Sequence, residues 1–251
     1  MIERILSVGC SFSALRPSND IKTCIGHEFS KHYGLPVDVV AWAGNGNRRI
    51  NIDTQLYFED RPEQKQNTFA VIQWSTPVRR DFPAIRYGYA DDLKPIFWKS
   101  WKSHKEREAR YINDRAWDLD MDQPLVELEN LISLQNYFKL NKIAYVMYFG
   151  LDPEIHTAIP QIQTLLKQVD KERIFRYNTH HMEWCIKNKL TCSDQDPHPN
   201  EKGVELLKSL IIQNLNDVQT HSPYFPKYLT KIEFNWLLLH SYYFFYSLNI
   251  S

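Results

Sequence analysis

Four short apolar runs, Ile5–Val8, Val37–Trp42, Phe69–Trp74 and Ile143–Phe149, constrain the fold more than any other feature of the chain. Each has the length of a buried strand, and longer stretches with helical spacing lie between them. "DIKTCIGHEFSKHYG" places Ile21, Cys24, Ile25 and Phe29 on one helical face, with Asp20 as N-cap and Gly34 as stop. "PLVELENLISLQNYFKLN" repeats Leu125, Leu128, Leu131, Ile132 and Phe138 at the same period, and "NEKGVELLKSLIIQNL" does so with Val204, Leu207, Leu210, Ile211 and Leu215. Strands alternating with helices predict an α/β domain in three α/β/α layers around a parallel, flavodoxin-like sheet.

At 251 residues, with 43% hydrophobic side chains, the chain supports one large core better than two. Thirty basic against 30 acidic side chains leave no net charge to draw nucleic acid or an acidic membrane. The four cysteines, Cys10, Cys24, Cys185 and Cys192, form no Cys-x-x-Cys pair and read as reduced thiols. The N-terminus lacks the apolar core of a signal peptide, and "WLLLHSYYFFYSLNI" near the other end is too short to span a bilayer. A cytoplasmic protein without a membrane span is therefore expected. The main domain is predicted over 1–217, and the aromatic extension 218–251 reads as a docking or association segment, able to serve a homo-oligomer, in preference to a poorly ordered tail.

Residues 77–122 break the rhythm with aromatics and charges and read as an insertion after the third strand. That position lies near the carboxyl ends of the strands, where open α/β sheets bind ligands. "KSWKSHKEREAR" mixes bases with Trp101, but its glutamates suit a solvated helix face better than a nucleic-acid site. His180 and His181 are adjacent in sequence and would face different ways on a helix, so no metal and no other cofactor is expected.

Three segments carry candidate chemistry. The first apolar run ends in Gly9-Cys10-Ser11, where a nucleophile would project into the crevice beside backbone N–H groups able to hold an oxyanion. Cys10 reads as the inward, buried neighbour and Ser11 as the nucleophile. Far downstream, "CSDQDPHPNEKGVELL" puts His198 in a proline-punctuated loop before a helix, with Asp194 and Asp196 as candidate carboxylates to orient the ring. The second apolar run ends in Ala43-Gly44-Asn45-Gly46-Asn47, a turn that also offers N–H and amide donors.

Together these segments resemble the SGNH (GDSL-type) hydrolase superfamily over roughly residues 3–216. Gly9-Cys10-Ser11 is similar to the family's Gly-Asp-Ser block, Gly44 to its second-block glycine, and "DPHPN" to its Asp-x-x-His-Pro block, with Gly203 and a terminal helix following. The "GCSFS" variant is similar to divergent members encoded by phages and aquatic bacteria, which would allow association with a virion. The resemblance implies the SGNH hydrolase fold and a serine esterase in which Ser11 attacks, His198 carries the proton and Asp196 or Asp194 orients the ring, Asp196 being favoured. It implies an oxyanion hole from the Ser11 and Gly44 N–H groups.

The family's third block, Gly-x-Asn-Asp, has no counterpart in "FAVIQWSTPVRR", so Asn47, Gln73 or Ser75 would have to supply the third donor; Asn47 is expected to face the pocket. Trp98 and Trp101 would suit a sugar face, which makes an O-acetylated carbohydrate a candidate among small-molecule or carbohydrate ester substrates. The competing reading is an idle SGNH-like module that binds a glycan or serves a phage structure without turnover.

Overall fold

The computed structural model describes residues 1–15, 23–77, 79, 81–84, 97–100, 119–153, 159–176 and 178–219. In chain order the elements are β1 (Arg4–Gly9), α1 (Ile25–Tyr33), β2 (Val37–Ala41), α2 (Asn47–Glu59), β3 (Thr68–Trp74), β4 (Asp81–Ala84), β5 (Phe97–Ser100), α3 (Leu119–Asn141), β6 (Ala144–Phe149), α4 (Pro160–Leu166), β7 (Ile174–Phe175), α5 (His181–Lys187) and α6 (Glu201–Gln219). Five strands form one sheet in the order β2-β1-β3-β6-β7, every neighbouring pair parallel. Without the separate β4-β5 hairpin this is the flavodoxin-like order 2-1-3-4-5.

Side-chain alternation along the strands divides the core. Leu6, Val8, Ala70, Ile72, Trp74, Met147 and Phe149 face one way, against Ile50 and Phe58 of α2, Leu128, Leu131 and Phe138 of α3, and Ile162 of α4. Ile5, Phe69, Val71, Val146 and Tyr148 face the other way, against Ile25 and Phe29 of α1 and Val204, Leu207, Ile211 and Leu215 of α6. The result is the three-layer α/β/α arrangement. Buried on both faces, the central strands are largely apolar apart from Ser7, Thr68 and Gln73, which is why they stand out in the sequence.

Several boundaries differ from the sequence reading. Helix α1 begins at Ile25 after Cys24 and ends on Gly34 in the left-handed region at φ 66°; the expected cap Asp20 and the face residue Ile21 lie outside the described residues. Strand β2 stops at Ala41 and leaves Trp42 exposed. The insertion contains an antiparallel hairpin, β4-β5, and the first turn of α3. The segment 218–251 lies, apart from the backbone of the last helical residues, outside the described residues, as does Trp101. No helix among the described residues is long and apolar enough to cross a membrane.

Candidate active site

Because β1, β2 and β3 are adjacent and parallel, their carboxyl ends deliver three loops to one edge of the sheet. The loop after β1 holds Cys10 and Ser11. It folds at once into a turn in which the N–H groups of Ser13 and Ala14 both donate to the Cys10 carbonyl, at 3.0 and 3.1 Å. The loop after β2 is tied to the end of β1, since the Trp42 N–H and the Asn45 side-chain amide both donate to the Gly9 carbonyl, at 3.3 and 3.0 Å. Gly44 makes this loop's turn at φ 85°, a backbone conformation that a side chain would strain.

The histidine arrives from the far end of the sequence on a loop closed at its base. Thr191 and Pro199 form an isolated antiparallel bridge, and the Cys192 N–H donates to the His198 carbonyl at 2.9 Å. Asn200 anchors the base: its side-chain oxygen accepts from the Gly203 N–H at 2.9 Å, capping α6, while its amide nitrogen donates to the Thr191 carbonyl at 3.1 Å. Gly203 is required by close packing, because a Cβ there would stand 2.8 Å from the Leu190 carbonyl oxygen.

This scaffold places Ser11 Oγ 2.8 Å from His198 Nε2, across 187 positions of sequence. His198 Nδ1 is 2.5 Å from Asp196 Oδ1, and the same oxygen accepts from the His198 backbone N–H at 3.1 Å. A carboxylate can only accept, so the proton on this side of the ring is assigned to Nδ1; Nε2 is then the acceptor for the serine hydroxyl. Phe12 packs against the imidazole at a centroid distance of 4.5 Å and limits its rotation. Asp196 is held in turn by reciprocal backbone hydrogen bonds with Ser193 and by the Ser193 hydroxyl, which accepts from the Asp196 N–H at 3.0 Å. Asp194, the other candidate carboxylate, is exposed.

The Cys10 thiol is fully buried beside Gln73. Gln73 Oε1 accepts from the Cys10 N–H at 3.2 Å, and its Nε2 donates to the Trp74 carbonyl at 3.0 Å and approaches Cys10 Sγ at 3.1 Å. Glycines at the carboxyl ends of the two neighbouring strands make room for it: a Cβ at Gly9, the last residue of β1, would lie 2.7 Å from Gln73 Oε1, and one at Gly150, just after β6, would lie 2.0 Å from its Nε2. Gln73 and Ser75 are both 0% exposed, so neither side chain reaches a molecule bound from solvent. The donor role expected of Gln73 therefore does not fit this geometry.

Nor does the one expected of Asn47. Its Oδ1 accepts from the Ser75 N–H at 2.6 Å, which fixes the orientation of the amide. Its Nδ2 then donates to the Ser75 carbonyl at 3.1 Å and to Glu127 Oε2. Both amide hydrogens are used, and none is left for an oxyanion. Glu127 was not legible as part of this region, because its partner lies 80 positions away and it falls within a long helix beside a second glutamate, Glu129.

His180 caps α5 by accepting from the Glu183 N–H at 3.3 Å, whereas His181 is buried against Trp184 and Tyr148. Burial pushes the His181 imidazole down to about 3, against a smaller raising effect of the Gly203 backbone. Among the described residues no group of three or more His, Cys, Asp or Glu side chains is arranged to hold a metal ion.

No protein-family model matches the chain, and no curated protein is similar to it. Solved structures similar to it include the psychrotrophic esterase EstA from Pseudoalteromonas sp., at 10% identity and a TM-score of 0.47, covering 87% of this chain and 99% of that one. A lipase/acylhydrolase from Enterococcus faecalis follows at 10% identity and a TM-score of 0.44, covering 86% and 96%. The acetylxylan esterase Axe2 from Geobacillus stearothermophilus matches at 14% identity and a TM-score of 0.39, covering 90% and 97%. Likeness at this level bears on neither activity nor substrate.

Proposed function

We propose that the protein is a serine ester hydrolase of the SGNH type. One observation carries the reading: Ser11 Oγ, His198 and Asp196 form a continuous hydrogen-bonded chain at the carboxyl edge of the sheet. These are the residue types, order and contacts that acyl transfer through a serine requires.

In the reaction, Ser11 Oγ bonds to the ester carbonyl carbon as its proton passes to His198 Nε2. Asp196 keeps the ring in the tautomer with Nε2 unprotonated and stabilises the imidazolium that forms. Collapse of the tetrahedral adduct breaks the bond to the alcohol, which takes the proton from Nε2. Water then repeats the sequence on the acyl-serine and releases the acid. The negative oxygen is assigned to the backbone N–H groups of Ser11 and Gly44, carried on the loops that follow the neighbouring parallel strands β1 and β2. An O-acetylated carbohydrate remains the substrate class of first choice, on the aromatic content of the insertion.

A panel of short-chain p-nitrophenyl esters and acetylated sugars, assayed for wild type beside Ser11→Ala, tests the reading. Turnover of at least one ester by wild type, lost in Ser11→Ala, is expected. Activity equal in the two proteins, or none on any ester, would return the chain to the idle-module reading.

A further inference from the structure

A buried carboxyl group on α3 is joined to the two loops that flank Ser11. Glu127 is 2% exposed and its Oε2 accepts from Asn47 Nδ2. Asn47 opens α2 directly after the Gly44 turn, and its amide grips both main-chain polar groups of Ser75, the residue just beyond β3. One side chain thus fastens the loop after β2 to the loop after β3, with β1 and its nucleophile lying between those strands in the sheet. Ser75 is held from its other side by Arg79, whose guanidinium donates to Ser75 Oγ at 3.1 Å.

We propose that Glu127 is a positioning residue of the active site, acting through Asn47 to hold the Gly44 turn and the exit of β3 in register with Ser11. The inference rests on the hydrolase reading for its kinetic consequence but not for its structural one. It supplies a purpose for Asn47 where an oxyanion donor was expected. With the Asn47 and Gln73 amides committed elsewhere, the backbone donors must be held more firmly, and a fixed amide does that.

The environment sets the form in which Glu127 works. Among the described residues its buried Oε1 has no hydrogen-bond partner, so an ionised carboxylate there would be a poorly compensated charge. Burial pushes the group up to about 8, and the Asn47 bond only partly opposes this. The charged groups nearest along the packed elements are Arg79 at Ser75, Arg48 and Arg49 beside Asn47, and Glu129 on α3. Arg49 pairs with Asp53, Arg48 and Glu129 face solvent, and none of the four contributes to the shift. At neutral pH the group is the uncharged acid, which accepts from Asn47 as a glutamine would.

Glu127→Gln and Glu127→Ala, prepared as full chains, separate positioning from bulk packing. At pH 7 Glu127→Ala should lower kcat on p-nitrophenyl acetate about tenfold or more with little change in KM, as small misplacement of reacting groups does. Glu127→Gln should restore kcat to within about threefold; wild-type kcat/KM should fall as pH rises through about 8, and the Glu127→Gln variant should lack that fall. Amide hydrogen exchange gives a readout that needs no activity: Glu127→Ala should speed exchange in residues 43–47 and 75–76 together, and Glu127→Gln should not. Exchange unchanged in Glu127→Ala, or sped up equally by both variants, would overturn the proposal whether or not the protein hydrolyses esters. If wild type turns over no ester but the exchange pattern appears, the hydrolase reading falls and the clamp stands.

Discussion

Asp194 and Asp196 stand four and two residues before His198, and sequence spacing alone leaves both able to serve it. The loop decides between them. Its base is closed by Thr191 and Pro199, and its tip turns Asp196 under the ring while Asp194 faces solvent. Asp196→Asn should therefore lower kcat by about 10⁴, because an amide favours the wrong imidazole tautomer, whereas Asp194→Asn should stay within about twofold of wild type. Steady-state kinetics on one ester checks both, and the reverse ranking would move the role to Asp194. Ser11 and His198 were legible as candidates because they sit in loops whose composition is unusual, and the structure brings them within 2.8 Å of each other. The commitments of Asn47 and Gln73 were not, because they depend on which backbone groups lie beside them after folding, and no local pattern records that.

Among the elements, β1, β2, β3 and β6 were legible, whereas the short strands β4, β5 and β7 and the helices α2, α4 and α5 were not. A strand buried on both faces is a run of apolar residues, which the eye finds at once. Helix α2 buries Asn47, Asn51 and Thr54 along with Ile50, Tyr57 and Phe58, so polar residues interrupt its apolar stripe and the helical period is blurred. The join between the histidine loop and α6 is the element most exposed to single changes. Asn200→Ala removes the cap on Gly203 and the bond to Thr191 together, and should cost about 1–2 kcal/mol of stability. Gly203→Ala drives a methyl into the Leu190 carbonyl, 2.8 Å away, and should cost about 1–3 kcal/mol. Urea unfolding measures both. In each, kcat should fall further than a Leu206→Ala control on the exposed face of α6, since the loop carries His198.

For the molecule as a whole, two buried groups shape the dependence of stability on pH. The carboxyl of Glu127 titrates near 8 when folded, above its ordinary 4.5, so the stability it contributes as an acid is full below 4.5 and is lost as pH rises through about 8. His181 has the opposite sign: its folded value of about 3 lies below its ordinary 6.5, so its contribution is full above 6.5 and is lost as pH falls toward 3. From these two groups the melting temperature should be level between about pH 4.5 and 6.5 and decline on either side. Glu127→Gln should remove the alkaline decline and leave the acid one, as read by melting temperature against pH. A wild-type alkaline limb that survives in the variant would show that other groups govern it.

The central claim is that Ser11 is a nucleophile activated by His198, and covalent capture tests it most directly. Wild type treated with a fluorophosphonate should gain one phosphonyl group with loss of fluoride, and peptide mass spectrometry should place it on Ser11. His198→Ala should slow that labelling by orders of magnitude, and Ser11→Ala should abolish it. Labelling confined to another residue, or labelling of Ser11 at the same rate with and without His198, would contradict the account.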